Sequence, residues 1–378
     1  MAGNMKLALV LAVLLGSYVG TNVASVRIPQ KRSLPSGNLI LAYATSCSND
    51  GATALAEARE GVNVIVWFAT NLVKNTTTGK AGITYGLNST CVAFVAKTLR
   101  DEGLETAHLI SIGGWDAPHP DTFISGSEWF EQWERWNTGE IVSRPKLGWF
   151  GFDGFDWDLE GNDNKSSPWN HFTLECMHLV GEMSKAAKRA GYIVTMVPPE
   201  SYLDPTQSGF DFSLLHAYND GWQPTFAYHG RNSYAYLISK FGAETFDLID
   251  VQLYETFSHA DFSITHKGED PAKYLTQWVS SIIKGWHVNY SNVDIPAQFV
   301  RVDASRLIIG FSFGGKGGRT VFVWPEAVRN AFNALPVKPR GVMYWNMDLD
   351  RRGVFNATVK RPGYTFASGF NAFLKTRT

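Results

Sequence analysis

The chain has 378 residues, of which 44% are hydrophobic and only 18% are charged, and its mean hydropathy is −0.13. These values fit a water-soluble globular protein and exclude an intrinsically disordered one. The formal net charge is −1, which excludes the strong positive charge expected of a nucleic-acid-binding or polybasic membrane-surface protein. The 13 Trp, 24 Phe and 14 Tyr residues either form a large aromatic core or include rings that stack on a flat ligand such as a sugar.

The N-terminus has the three parts of a secretory signal peptide. A short segment with one Lys precedes the apolar run Leu7–Leu15, and small residues follow as far as Val23-Ala24-Ser25. The apolar run is too short for a comfortable membrane span. We therefore predict a signal peptide over residues 1–25 and a secreted, extracellular mature protein with no membrane segment. A buried N-terminal helix is the alternative.

Three cysteines are present, and an odd number in a secreted protein leaves one of them outside an intrachain disulfide. Cys176 lies in an amphipathic helical pattern and is predicted to be a core thiol, so we expect a disulfide between Cys47 and Cys91. No Cys/His cluster has the spacing of a metal site, and neither a metal nor a cofactor is predicted. Five sequons are candidate glycan sites: Asn75, Asn88, Asn164, Asn289 and Asn356.

Eight short runs rich in Val, Ile, Phe, Tyr and Leu recur along the chain. They are Leu39–Thr45, Val62–Thr70, Ala107–Trp115, Gly151–Glu160, Tyr192–Pro198, Phe246–Tyr254, Arg306–Gly314 and Gly341–Trp345. Several are almost continuously apolar, which is typical of parallel strands buried on both faces. Helical patterns separate them, for example Thr90–Arg100, Trp169–Ala190 and Ala272–Gly285.

Eight strands that alternate with helices predict an α/β fold, a closed (β/α)8 TIM barrel. An open doubly wound sheet is the main alternative, but no Gly-rich dinucleotide-binding fingerprint follows the first strand. None of the gaps between strands is long enough for a second domain. We therefore predict a single domain over residues 33–378, without the large insertion domain that interrupts some barrels.

The fourth run carries three acids at alternating positions, Asp156, Asp158 and Glu160. Side chains two apart on a strand point the same way, so the three carboxyl groups share one face. Three hydrophobic residues alternate with them and face the surrounding helices: Phe155, Trp157 and Leu159. Clustered carboxyl groups repel one another when ionised, so at least one pKa should rise, as a general acid requires. A solvated edge strand is the alternative, and the strongly apolar opposite row argues against it.

This sequence resembles glycoside hydrolase family 18, the chitinases. The family's strand-four signature, D-G-x-D-x-D-x-E, is complete over Asp153–Glu160, and its S-x-G-G motif on strand three is present as Ser111–Gly114. The likeness is greatest to the compact class III plant-type and related microbial members. Their strand-five segment is similar to Met196–Glu200, and their Q-x-Y-N segment on strand six is similar to Gln252–Tyr254. Glu255 stands where that segment has Asn.

The resemblance implies a retaining, substrate-assisted mechanism in which the substrate's own acetamido group is the nucleophile. Glu160, at the C-terminal end of its strand, is expected to be the general acid and then the base. Asp158 is expected to orient the acetamido group, and Tyr254 to donate its hydroxyl to the acetamido oxygen. Asp156 is expected to share a proton with Asp158, with a purely structural role as the alternative. Trp345 resembles the hydrophobic floor beneath the distorted sugar.

Four further residues are predicted to contact or line the substrate pocket: Met196, Gln252, Tyr43 and Trp115, the last by stacking on a neighbouring sugar. Tyr254 and Trp345 have a core position as the alternative, and Asp153, of opposite strand parity to the acids, is expected to be structural. The other tryptophans at helical spacing are expected to pack in the core: Trp129, Trp133 and Trp136.

The function that the resemblance implies is hydrolysis of β-1,4-linked N-acetylglucosamine polymers such as chitin. The absence of an insertion between strands seven and eight favours an open groove and internal cleavage. Two alternatives remain open, an endo-β-N-acetylglucosaminidase acting on N-glycans and a sugar-binding lectin with little activity. The expected partner is chitin or a related oligosaccharide and the expected state is a monomer, with neither nucleic acid nor membrane as a partner.

Overall fold

A computed structural model describes residues 33–162, 164, 166–213, 232–255, 258–313, 321–355, 359–361 and 363–375. These residues belong to one compact unit, Lys31–Thr378. The predicted signal peptide and the sequon at Asn356 lie outside the described residues. Within the described residues, none of the helices is both long enough and apolar enough to cross a bilayer.

Eight parallel strands close into a barrel, so the predicted (β/α)8 architecture is confirmed. In chain order they are β1 (Leu39–Ala44), β2 (Val64–Lys74), β4 (Ala107–Gly114), β5 (Gly154–Leu159), β6 (Ile193–Met196), β7 (Leu248–Gln252), β10 (Leu307–Ser312) and β11 (Gly341–Trp345). Each pairs in parallel with the next, and β11 pairs with β1 to close the ring. All eight strands fall within or beside the runs identified in the sequence.

The shorter strands lie outside the barrel wall. They are β3 (Ala81–Tyr85), β8 (Trp286–Val288), β9 (Gln298–Val300), β12 (Val354–Phe355) and β13 (Val359–Lys360). The first of these forms an antiparallel hairpin with the long extension of β2 beyond the barrel, and the others form two antiparallel pairs, β8–β9 and β12–β13.

Nine α-helices of the described residues surround the barrel. They are α1 (Ala52–Arg59), α2 (Ser89–Asp101), α3 (Gly126–Asn137), α4 (Leu174–Arg189), α5 (Ala235–Phe241), α6 (Pro271–Lys284), α7 (Pro325–Ala334), α8 (Met347–Arg352) and α9 (Phe366–Leu374). The helical pattern predicted over Trp169–Ala190 is interrupted. A 3-10 turn, Pro168–Asn170, precedes α4. The helix itself begins at Leu174, because the Thr173 side chain accepts a hydrogen bond from the Cys176 amide at 3.1 Å and so caps it.

Alternation along β5 is as predicted. Phe155, Trp157 and Leu159 are buried in the core between barrel and helices. The Trp157 indole also donates a 2.8 Å hydrogen bond to the Ser184 hydroxyl on α4, so this row fixes the strand against its helix. The acids between these residues consequently point into the barrel.

The barrel interior changes character along its axis. Its lower part is an apolar core of inward-facing side chains, among them Leu39, Leu41, Val64, Val66, Leu109, Ile193, Leu248 and Ile308. At the C-terminal ends of the strands, carboxyl, amide and hydroxyl groups replace them. In a barrel of this kind the C-terminal face is where function resides.

The three cysteines are arranged as predicted. Cys47, after β1, is bonded to Cys91 in α2, with 5.8 Å between their Cα atoms. Cys176 is a buried free thiol on α4, and burial raises its pKa to about 12. It is therefore a core thiol and not a reactive one.

Candidate active site

Three carboxyl groups form a column at the C-terminal end of β5. Exposure rises from 0% for Asp156 through 5% for Asp158 to 9% for Glu160. Glu160 follows the last residue of the strand and is the outermost acid, which is the order expected from the positions of the three acids along the strand. Glu160 is therefore the acid of this column that is most accessible from the cleft.

Asp156 is held by two hydroxyl groups from neighbouring strands. Tyr43 on β1 donates to Oδ2 at 2.7 Å, and Thr195 on β6 donates to Oδ1 at 2.5 Å. Burial raises the pKa of Asp156 to about 6, and these hydrogen bonds work against that rise. Tyr43 is only 1% exposed, so its hydroxyl orients Asp156 from beneath the cleft.

Asp158 and Glu160 act as a pair. Their carboxyl groups are hydrogen-bonded to each other, and burial raises the pKa of both. The negative charge of Glu160 raises the pKa of Asp158 further. Gln252 on β7 donates its side-chain N–H to Asp158 Oδ1 at 3.2 Å and to Glu160 Oε1 at 3.1 Å, which lowers both pKa values in part. A raised pKa and a shared proton keep a carboxyl group protonated near neutral pH, as a general acid requires.

Three rings, Trp345, Tyr43 and Phe68, form an aromatic cup beside the acids. The Trp345 ring is 5.4 Å from the Tyr43 ring and meets the Phe68 ring edge-on at 4.8 Å. Tyr254 is partly buried against the same inner cluster. Its burial, followed by the charges of Asp158 and the other acids, raises its pKa well above the usual value. The phenol therefore stays a neutral O–H donor.

Three rings hold the backbone that carries Glu160. The Leu159 amide donates to the Tyr234 hydroxyl at 2.8 Å, and that hydroxyl donates back to the Leu159 carbonyl at 3.0 Å. The Gly161 amide donates to the Tyr202 hydroxyl at 3.3 Å. His119 Nε2 lies 3.1 Å from the Glu160 carbonyl oxygen. Because three side chains hold this segment, the backbone from which the Glu160 side chain extends is fixed in position.

Gly113 and Gly114 are required where they stand. Both have φ above +100°, a conformation that other residues rarely adopt. A Cβ on Gly113 would lie 2.4 Å from the Asp158 carbonyl oxygen, and one on Gly114 would lie 2.4 Å from the Phe68 ring. The two glycines therefore let β4 approach both the acid pair and the aromatic cup. They end at Trp115, which is 53% exposed on the rim.

Met196 is the predicted site residue that the structure does not bring to the site. It pairs in register with Trp157 and is fully buried in the core between barrel and helices. The residue of β6 that reaches the acids is its neighbour, Thr195. Successive side chains on a strand point to opposite faces, so the placement of Met196 in the site, which was made from a motif, was wrong by one residue.

Asp153 has a structural position at the start of β5. Its Oδ2 accepts a 2.8 Å hydrogen bond from the His108 amide. Glu255, the departure from the family pattern, accepts hydrogen bonds from the Ser201 amide at 2.6 Å and the Ser201 hydroxyl at 3.2 Å. Burial raises the pKa of Glu255 well above its usual value, and the charges of Glu200 and Glu160 raise it further.

A further acid, Asp250, lies inside the barrel and was missed in the sequence. It is 0% exposed, and neither of its carboxyl oxygens has a hydrogen-bond partner among the described residues. Burial, and then the charge of Asp156, raises its pKa well above the usual value. Strand parity could have revealed it, because it stands two residues before Gln252 on β7. Within the described residues, no group of three or more His, Cys, Asp and Glu side chains is arranged to hold a metal ion.

No family model and no curated protein matches the sequence. Solved structures do match. A family GH18 chitinase from Chromobacterium violaceum is 17% identical, with a TM-score of 0.57 over 89% of this chain and 83% of that one. Active domain 2 of a thermostable chitinase from Pyrococcus furiosus, complexed with chito-oligosaccharides, is 11% identical, with a TM-score of 0.52 over 92% and 97%.

A Group IV chitinase from Ostrinia furnacalis is 10% identical, with a TM-score of 0.50 over 89% of this chain and 100% of that one. At these identities, structural likeness establishes the fold and leaves the activity to be argued from the site. The resemblance noted in the sequence is thus confirmed at the level of architecture: the chain has the barrel fold of the family 18 chitinases.

Proposed function

We propose that this protein is a secreted, retaining glycoside hydrolase that cleaves β-1,4-linked N-acetylglucosamine polymers. The observation that carries the proposal is the buried column of Asp156, Asp158 and Glu160, which ends in the outermost acid at the C-terminal face of the barrel. The chito-oligosaccharides bound by the Pyrococcus furiosus chitinase domain support the substrate class.

In the proposed reaction the 2-acetamido oxygen of the sugar attacks its own anomeric carbon. Glu160 protonates the departing glycosidic oxygen, and the oxazolinium ion that forms is then hydrolysed by water, with Glu160 acting as the base. Because the nucleophile is already attached to the reacting ring, proximity supplies part of the rate enhancement. Tyr254 donates its neutral hydroxyl to the acetamido oxygen.

Asp158 changes its hydrogen-bond partner during the proposed reaction. In the free protein its carboxyl group is hydrogen-bonded to Glu160. As Glu160 gives up its proton, Asp158 turns to the acetamido N–H and stabilises the positive charge that develops on the ring. Asp156, which is held by Tyr43 and Thr195, is the carboxyl group that shares a proton with Asp158 in this scheme.

The apolar floor of the site positions the sugar. Trp345, backed by Tyr43 and Phe68, presents a ring beneath the sugar at the cleavage point. Trp115 is 53% exposed, and in this proposal its ring stacks on a neighbouring sugar. Rings of this kind have an apolar face with limited conformational freedom, which suits them to bind the flat side of a pyranose.

The test is turnover of a fluorogenic chitobioside or chitotrioside by the wild type and by Glu160→Gln. The expected loss is at least about a hundredfold in rate, which corresponds to about 2.7 kcal/mol of transition-state stabilisation. Glu131→Gln, at an exposed position on α3, is the matched control and should leave turnover unchanged. A wild type that binds chitin without cleaving it would instead be a lectin.

Product analysis on chitin oligomers beside an N-glycoprotein separates the two candidate enzymes. Release of short N-acetylglucosamine oligomers supports the proposal, whereas glycan release without chitin cleavage would identify an endo-β-N-acetylglucosaminidase. The same products report whether cleavage is internal, as an open groove favours.

The proposal that the protein is exported rests on the N-terminal pattern and on one bond. A disulfide such as Cys47–Cys91 persists in oxidising compartments and is rare in the cytosol. Export of the chain with loss of residues 1–25 is the expected outcome, measured by N-terminal sequencing of the secreted protein.

A further inference from the structure

A second pocket lies outside the catalytic side chains. Its volume is about 440 Å³, and it opens between the far end of β2, the segment that follows β4, and the start of α4. Its wall includes Lys74, His119, Asp121, Phe123, Trp169 and His171. None of the three column acids contributes to that wall. We call it the His119 pocket.

The wall combines flat apolar surfaces with separated polar groups. Three prolines, Trp169 and Phe123 supply the apolar surfaces. Phe123 is 93% exposed and Lys74 Nζ lies 5.4 Å from the centre of its ring, so most of the ring surface remains for a ligand to cover. The wall also carries hydroxyl groups, from Thr122 and Thr173, and imidazole groups, from His119 and His171. A mainly apolar pocket with few polar groups is typical of small-molecule sites.

Charge complementarity limits the class of ligand. Lys74 Nζ lies 3.1 Å from Asp121 Oδ2, so the ammonium and the carboxylate of the wall face each other. A phosphate or a carboxylate ligand would have to compete with Asp121 for Lys74. A neutral ligand with many hydroxyl groups needs no such exchange, and its apolar ring face suits the aromatic and proline surfaces.

The back wall of the pocket is well fixed. The His119 ring stacks on Phe172 with 4.6 Å between ring centres and 8° between ring planes, and its Nε2 is 3.1 Å from the Glu160 carbonyl oxygen. Burial lowers the pKa of His119 to about 4, so the ring is neutral near pH 7 and its Nε2–H donates to that carbonyl. A wall that does not have to be ordered on binding costs little entropy.

We propose that the His119 pocket is a second binding site for a neutral N-acetylglucosamine oligosaccharide, separate from the catalytic cleft. The choice of sugar rests on the proposed function, because the catalytic cleft is proposed to bind the same class of ligand. The volume lies within the range of small-ligand pockets, about 300–1,000 Å³. A proline-rich peptide is the competing occupant.

The experiment uses the full chain carrying Glu160→Gln, so that the probe is not cleaved. Calorimetric titration with N,N′-diacetylchitobiose is expected to show two classes of site. Adding Phe123→Ala should weaken one class at least about tenfold, because a ring that packs on the ligand is lost. The other class should remain. The matched control is Phe299→Ala, a ring that is 55% exposed on β9 and lies outside the pocket.

Failure of this inference and failure of the proposed function give different results. A single class of site that Phe123→Ala leaves unchanged overturns the second site and leaves the cleft intact. Binding of a proline-rich peptide, but not of the sugar, that is sensitive to Phe123→Ala also overturns it. A wild type that neither binds nor cleaves the probe's longer homologues removes the proposed function itself.

Discussion

Glu160 is expected to make the reaction sensitive to alkaline pH. Burial raises its pKa above the ordinary value of 4.5, and the protonated form is the acid. The rate should therefore be retained above pH 4.5 and fall as pH rises through the raised pKa. The measurement is kcat/KM for a fluorogenic chitobioside from pH 4 to pH 9, and a rate that rises smoothly through pH 9 would contradict the role.

Gln252 offers a way to move that alkaline limit. Its N–H donates to Asp158 and Glu160, and each hydrogen bond lowers the pKa of its acceptor. Substitution Gln252→Met removes the side-chain amide that donates to both carboxyl groups, so the pKa values of the pair should rise and the protonated acid should persist to higher pH. A charge-assisted hydrogen bond of about 1.5–3 kcal/mol corresponds to a shift of about one pH unit or more. An unchanged or lower alkaline limit in the variant's kcat/KM profile would show that Gln252 does not tune the pair.

Asp250 should make the fold less stable as pH rises. Its pKa is raised in the folded state by burial and by Asp156, whereas an unfolded Asp has a pKa of about 3.9. The folded protein therefore binds more protons than the unfolded chain above pH 4, and stability is lost as pH rises through that window. In Asp250→Asn this loss is absent, so relative to wild type the variant should gain at least about 1 kcal/mol between pH 4 and pH 7.5.

Urea unfolding of both proteins at the two pH values measures that gain. Buried acids that do not interact with Asp250 cancel in the difference, whereas Asp156, which interacts with it, contributes to the measured gain. Asp303→Asn is the control, since its carboxyl group is 53% exposed, and its effect should be small at both pH values. A difference between wild type and Asp250→Asn that does not change with pH would mean that Asp250 is not a protonated buried acid.

At the scale of elements, the approach of β4 to β5 depends on Gly113. A methyl group there would meet the Asp158 carbonyl oxygen at 2.4 Å, and the backbone has φ +107°. In Gly113→Ala the strand ends must separate, so Asp158 moves from its position beside Glu160. We expect kcat/KM to fall at least about tenfold, since displacements of about 1 Å at a reacting group have effects of that size or larger.

A matched variant separates crowding from backbone strain. Gly103 also has a positive φ, +73°, but nothing lies within 4 Å of its added Cβ. Gly103→Ala should therefore lower stability and leave kcat/KM unchanged. Equal losses of activity in Gly103→Ala and Gly113→Ala would mean that general destabilisation, and not the contact with Asp158, explains the effect.

The periodicity of the sequence was sufficient for the barrel and for the acid row. Each strand is a run of residues adjacent in sequence, and parity along β5 assigns inward and outward faces without knowledge of the neighbours. Parity along β7 also contained Asp250, since it precedes Gln252 by two residues. The prediction for Met196 was wrong because it came from a motif, whereas the direction of the Met196 side chain is set by its register with Trp157.

The rest of the site depends on contacts between residues that are distant in sequence. Tyr234 lies 75 positions from Leu159, and Tyr202 lies 41 positions from Gly161. Neither tyrosine belongs to a barrel strand, so no periodicity marks which backbone group it will hold. Parallel pairing of β4 with β5 and of β5 with β6 brings the loops after these strands to one face of the barrel, where these hydrogen bonds form.

At the scale of the whole molecule, the ring of strands closes through elements from opposite ends of the chain. Strand β1 pairs with β11, so Leu39 stands opposite Gly341 in the sheet. Glu57 on α1 and Arg351 on α8 form an ion pair across the same seam. Because many such contacts join distant segments, unfolding should be cooperative over the whole compact unit, and constraints on the early part of the chain should affect its global stability.

The Cys47–Cys91 disulfide is such a constraint. It closes a loop of sequence separation 44, and loop-closure entropy predicts up to about 4 kcal/mol of stabilisation for that length. The double variant Cys47→Ser/Cys91→Ser should lose a large part of this in urea unfolding, while kcat/KM at 25 °C stays within about twofold because neither cysteine is among the residues of the site. Reducing agent should destabilise the wild type similarly and leave the double variant unchanged. A reductant effect on the double variant would show that the stabilisation does not come from this bond.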